Sequence, residues 1–111
     1  MTYSKKAMFS SDLQELASLA KVLSHPARLA ILRYLAEKKT CISGDITQDI
    51  PLSRTTVSQH LQELKKAGLI HGEIEGIKVN YCLCSEKLPL VRKYFCDFFE
   101  EINVEVICKT H

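Results

Sequence analysis

Between positions 53 and 66 the segment SRTTVSQHLQELKK gathers side chains that can bond to a partner rich in donors and acceptors. Arg54 and Gln59 can each make paired hydrogen bonds to the edge of a base. Thr55, Thr56 and Ser58 suit phosphate oxygens, which fix register without reading sequence. Val57, Leu61, Leu64 and Ala67 recur at helical spacing and form one narrow apolar stripe. Arg54, Thr55, Ser58, Gln59, Gln62, Lys65 and Lys66 fall on the opposite face. An amphipathic helix can also simply cover a bundle, but short polar side chains crowded into its first two turns suit base edges and phosphates.

The flanking residues hold such a helix out. Ser53 is a good N-cap, because its hydroxyl can accept from an orphaned backbone N–H. Pro51 ends whatever helix precedes it and biases Ile50 to an extended shape. Gly68, following Lys65-Lys66-Ala67, supplies the left-handed residue that terminates a helix. With a first short helix opening at Gly44 and Asp45, residues 45–67 read as a helix-turn-helix.

Two strands follow, over about 69–75 and 78–84, joined by a tight turn at Glu75-Gly76-Ile77. Val79, Tyr81 and Leu83 alternate with Asn80, Cys82 and Cys84, so the second strand has two chemically distinct faces. A hairpin directly after a recognition helix is a wing (69–84), and Lys78 beside its turn is placed to meet phosphate.

Upstream, residues 1–8 read as a loose tail. Ser11 or Asp12 can cap a first helix with an apolar stripe of Leu13, Leu16, Ala17, Ala20 and Leu23. Pro26 suits the first position of a second helix, whose interior N–H it does not need to supply. That helix, over 27–37, is expected to bury Leu29, Ile31, Leu32 and Leu35 and to show Arg28, Arg33 and Glu37 outside. Cys41-Ile42-Ser43 reads as a short strand. A last helix over 88–108 carries Leu90, Val91, Tyr94, Phe95, Phe98, Phe99, Ile102 and Val106. Either that stripe closes the chain's own core, or it meets a second copy. In the second case Leu13, Leu16, Val91, Tyr94, Phe95, Phe98, Phe99 and Ile102 form a two-fold interface.

Composition bounds these readings. At 111 residues, 46% hydrophobic and 25% charged, the chain is one globular domain over 1–111. Its class is mainly α with a small β-hairpin wing. No apolar run can cross a membrane and the start has no apolar leader, so a cytoplasmic setting is expected. Five cysteines are expected to be thiols there. The net charge of +2 makes any nucleic-acid affinity a matter of a local patch. An enzyme with Cys41 as nucleophile finds no adjacent base and is set aside.

The order of elements resembles the winged helix-turn-helix repressors of the ArsR/SmtB family. LASLAKVLSHPARLAILRYL is similar to that family's opening, and CISGDI to its cysteine-bearing segment. LSRTTVSQHLQELKKAGLI resembles its recognition helix, and KVNYCL its wing strand. The likeness spans residues 12–108 and implies a homodimer that leaves a double-stranded DNA operator when an inducer binds. Carried over residue by residue, the DNA-reading positions are Ser53, Arg54, Thr55, Thr56, Ser58, Gln59, His60 and Gln62, with Lys78 on the wing. His60, next to Leu61, could equally be packed or facing water. A winged helix that binds only protein stands as an alternative.

The family's inducer is often a metal or metalloid such as As(III), held where this chain has Cys41-Ile42-Ser43. Serine replaces the second cysteine of the Cys-x-Cys pattern, and As(III) favours about three sulfur ligands. Cys82 and Cys84 point to one side of their strand, so Cys41, Cys82 and Cys84 are the candidate ligands. A redox or persulfide response, with two cysteines linking reversibly, is the alternative, and cysteine as a small hydrophobe or an idle thiol is the third. Cys96 lies off the apolar stripe and Cys108 near the end. Asp97, Glu100, Glu101 and Glu105 read as a solvated acidic face and not as a zinc site.

Overall fold

The computed structural model describes residues 8–39, 41–43, 49–75 and 78–105, with side chains for all of these except 74, 75, 78 and 79. The elements are α1 (Ser11–Val22), α2 (Pro26–Lys38), β1 (Ile42–Ser43), α3 (Arg54–Lys66), β2 (Ile70–Glu75), β3 (Lys78–Leu83) and α4 (Lys87–Glu101). The three strands form one antiparallel sheet in the order β1-β3-β2. The first helix of the helix-turn-helix falls mostly on residues 44–48, and the hairpin turn on 76–77; both lie outside the described residues.

Local chemistry sets the boundaries. Pro26 sits in the first turn of α2. Gly68 has φ +80° and follows the α3 C-cap Ala67. The Leu69 N–H then reaches back to the Leu64 carbonyl at 3.0 Å and the Gly68 N–H to that of Lys65 at 2.9 Å, closing the helix. Lys39 ends α2 in the left-handed conformation at φ 57°.

The core lies where α2, α3 and the sheet meet. Ile31 and Leu35 of α2, Val57, Leu61 and Leu64 of α3, and Leu69, Ile70 and Tyr81 of the wing are buried together. α1 contributes Leu19 and α4 contributes Val91. Two expectations for the early helices are corrected. Leu19, not the Leu13 stripe, is the buried residue of α1; Leu16 is half-buried and Leu13 is exposed. Leu29 is 47% exposed. It precedes Ile31 by two residues, roughly 200° around the helix, so the two cannot share one buried stripe.

The last helix is shorter than its apolar spacing suggests. α4 ends at Glu101, and Asn103, Val104 and Glu105 are not helical. Asn103 and β-branched Val104 favour leaving a helix, a preference that the hydrophobic period does not register. Val91 of the expected dimer face belongs to this chain's own core, and Phe95 packs partly against it. Leu90, Tyr94, Phe99 and Ile102 remain exposed, as do Met8, Phe9 and Leu13 toward the N-terminus. α1 and α4 pack on each other, with Lys87 of α4 within 3.8 Å of Glu15 of α1.

Candidate nucleic-acid interface

α3 begins where its sequence says it should. Ser53 is the N-cap, with φ −68° and ψ 156°, and its Oγ accepts from the Thr56 N–H at 3.2 Å. The same hydroxyl donates to Thr56 Oγ1 at 2.9 Å. Capping therefore uses most of the bonding capacity of Ser53 and leaves the Thr56 hydroxyl a donor to spare. Val57, Leu61 and Leu64 anchor the opposite face in the core. Ser53, Arg54, Thr55 and Gln59 are exposed, and Thr56, Ser58 and Gln62 are half-buried. Lys65 and Lys66 extend the exposed surface to the end of the helix, with Lys66 paired to Glu63 at 3.2 Å.

Beside α3 stands the wing. β2 and β3 pair from Ile70↔Leu83 to Glu75↔Lys78, so Lys78 is at the outer end of the ladder, at the hairpin tip. Its side chain lies outside the described residues. Gly72 lies opposite Tyr81 with φ +132°. A Cβ there would run into the Asn80 carbonyl oxygen and stand 2.7 Å from the Tyr81 Cα. Glycine is thus required for the two strands to approach, which the alternation of apolar residues did not signal.

His60 is separated from the exposed polar face. It sits half-buried against the start of α2, where Arg28 Nε donates to its Nδ1 at 3.1 Å. Arg28 Nη1 also donates to the Val22 carbonyl at the end of α1, at 3.2 Å. The His25 ring lies 5.6 Å from that of His60. Burial lowers the His60 pKa, and the charges of Arg28 and His25 lower it further. Arg28 was expected on the outside; it is half-buried and joins three helices. The residues lie 32 positions apart, a distance at which spacing gives no signal.

The cysteines correct another expectation. Cys41 and Cys82 are joined by a disulfide, with Cα atoms 4.3 Å apart, where thiols were anticipated. The cause is register: Ile42 pairs with Tyr81 and Ser43 with Asn80, so the next position back sets Cys41 directly across from Cys82. Cys84 is a half-buried free thiol and Cys96 an exposed one. Bonded to one another, Cys41 and Cys82 offer no thiolate, and Cys84 alone does not make the sulfur set that As(III) favours. Among the described residues no three His, Cys, Asp or Glu side chains gather as metal ligands. On the acidic face of α4, Asp97 instead accepts from Lys93 at 2.6 Å. The disulfide borders a cleft of about 390 Å³ lined by Leu35, Ala36, Lys39 and Leu83.

A capped helix with an exposed polar face, seated on two earlier helices and flanked by a three-stranded wing, defines a winged helix-turn-helix domain. Comparison with known proteins agrees. The helix-turn-helix domain family matches residues 23–73. The transcriptional regulator YgaV of Escherichia coli K12 is 31% identical over 85 residues, covering 77% of this chain and 86% of that one. The transcriptional repressor SmtB of Mycobacterium tuberculosis is 34% identical over 76 residues, covering 68% and 56%. The solved homodimeric winged helix-turn-helix DNA-binding domain Mb0332 of Mycobacterium bovis superposes with a TM-score of 0.59 at 26% identity, covering 100% of this chain and 98% of that one. The chain belongs to the ArsR/SmtB family of winged helix-turn-helix transcriptional regulators.

Proposed function

We propose that this protein is a repressor that holds an operator duplex as a two-fold dimer and releases it in response to an inducer. The observation that carries this reading is the outward polar face of α3. Arg54 and Gln59 are exposed on a helix whose far side is fixed in the core, as a reader of the major groove must be. Arg54 and Gln59 contact base edges; Ser53, Thr55, Thr56, Ser58, Gln62 and the wing's Lys78 contact the backbone or adjoining edges. Tyr94, Phe99, Ile102 and Leu13 supply the dimer surface on α4 and α1, and the homodimeric relative supports this pairing. A cytoplasmic setting belongs to the same reading; among the described residues no helix is long and apolar enough to cross a membrane.

Selection from random duplexes tests it. The recovered sites are expected to be inverted repeats, with half-sites about one helical turn apart or a multiple of that. Failure of every duplex to bind at low salt would favour a winged helix that binds only protein.

The Cys41–Cys82 bond favours a thiol-responsive inducer over a soft metal. β1 is only two residues long, and the bond ties it to β3 at the base of the wing. The loop so closed contains all of α3 and β2. An incoming thiolate attacks the exposed Cys41 Sγ, forming a mixed disulfide and expelling the Cys82 thiolate. A second thiol then frees Cys41, so two small thiols leave as their disulfide while the protein's bond is reduced. Operator-bound protein titrated with dithiothreitol, a persulfide donor, As(III), Cd(II) and Zn(II) is expected to dissociate with the sulfur nucleophiles. Release by As(III) alone, with the bond intact, would return the inducer to a metalloid.

A further inference from the structure

We infer that His60 does not touch the duplex but is a positioning residue, held by Arg28 as the neutral Nε2–H tautomer so that α3 stays registered against α2 and the end of α1. The inference rests on the reading of α3 as the DNA-reading helix and assigns His60 a different part in it.

Hydrogen-bond direction gives the tautomer. An arginine Nε–H can only donate, so His60 Nδ1, 3.1 Å away, must present its lone pair. The ring proton then resides on Nε2. The same guanidinium donates to the Val22 carbonyl, so a single side chain of α2 spans the last turn of α1 and the middle of α3. Helical geometry agrees. Successive residues turn by roughly 100°, which puts His60 far around the helix from Arg54, Ser58 and Gln62. Thr55 is likewise far around from His60, whereas Ser53 and Thr56, which bond to one another at the helix start, lie nearer its side.

Burial and the two basic groups beside the ring oppose a charge on it. From α2 these are Arg28, bonded to Nδ1, and His25, with its ring 5.6 Å away. Within α3 the carboxylate one turn on is Glu63, which is already engaged by Lys66 at 3.2 Å. α1 is linked to the ring through Arg28, which donates to the Val22 carbonyl. Protonating Nδ1 would set two donors and two cations against each other, so Arg28 would have to let go and the strut joining the three helices would be lost.

A strut and a DNA contact respond to acid with opposite sign. A histidine touching phosphate gains affinity when it charges. A histidine whose neutral form braces the recognition helix loses affinity. Between pH 7.5 and 5.5 the wild-type protein is expected to weaken on its selected operator, by less than about tenfold, which is the ceiling for one ordinary imidazole followed through roughly one unit. Burial lowers the His60 pKa and so reduces the fall. His60→Gln retains an acceptor for Arg28 and cannot titrate, so its affinity is expected to hold across that range, with a near-wild-type value at pH 7.5. A long-range ¹H–¹⁵N spectrum of the wild-type protein at pH 7.5 is expected to show His60 protonated on Nε2 alone, whether or not any variant folds. An Nδ1–H tautomer, an affinity that rises on acidification, or the same fall in His60→Gln would each overturn the inference. Absence of operator binding at any pH would instead defeat the proposed function, while the tautomer would still be decided by the spectrum.

Discussion

Opening the Cys41–Cys82 bond with a reductant is expected to destabilise the native fold by an amount set by the chain it encloses. The two residues are 41 positions apart. Cross-linking a loop of that length removes roughly 13 cal/mol/K from the unfolded ensemble, or about 4 kcal/mol at 25 °C on the chain-entropy account. For the 111 residues here, an unfolding entropy of about 2.1 cal/mol/K per residue converts this into a fall in Tm of ~17 °C. Only two paired residues of β1 then remain to hold that segment on β3. The assay is a thermal melt at fixed protomer concentration, since dimerisation shifts Tm by mass action. Oxidised protein is compared with protein reduced and alkylated, its thiols being counted by mass. Amide exchange should quicken at Ile42 and Ser43 in the reduced form. The Cys84→Ser and Cys96→Ser proteins, which lack only free thiols, should melt like the wild type and show the same drop on reduction. A loss under ~3 °C with both thiols verified would refute the argument from loop closure.

Three further outcomes follow from single contacts. Ser53→Ala leaves the Thr56 N–H without its cap acceptor and should cost about 1 kcal/mol in denaturant unfolding, largely restored by Ser53→Asp. Gly72→Ala forces a side chain at φ +132° against the Asn80 carbonyl. It should lose more than ~1 kcal/mol in the same assay, with disturbed amide shifts along β2 and β3. Tyr34 donates to Asp49 at 2.8 Å, and that bond raises the phenol's pKa. A raised folded pKa gives stability that is fully present below the unfolded value and lost as pH rises through the folded one. The difference in denaturation midpoint between wild type and Tyr34→Phe should therefore be constant from neutral pH to about 9 and shrink above about 10.

The parts of this fold that short-range pattern specifies were legible in the sequence. Val57, Leu61 and Leu64 at helical spacing, Ser53 before them and Gly68 after them fix α3 at both ends. Pro26 marks the start of α2, and the alternation around Tyr81 gives the wing strand its buried face. What was hidden depends on contacts between distant segments. The pairing of β1 with β3 rests on two residues, too short a run for any periodicity, and the disulfide follows from that pairing alone. Arg28 looked like an ordinary surface arginine until α3 was laid against it. The end of α4 was missed because Ile102 continues an apolar stripe that the backbone does not follow. Of the reading face, the residue types were plain from the sequence. The separation of His60 from its neighbours needed the position of α2.

The central claim is that the outward face of α3 reads bases. The most direct measurement is the affinity of wild-type and Arg54→Ala protein for the selected operator and for a scrambled duplex, titrated at one salt concentration. Arg54→Ala is expected to lose ~1–3 kcal/mol on the operator, roughly fivefold to 150-fold, with a much smaller loss on the scrambled duplex. Equal affinities of the two proteins for the operator would contradict the account.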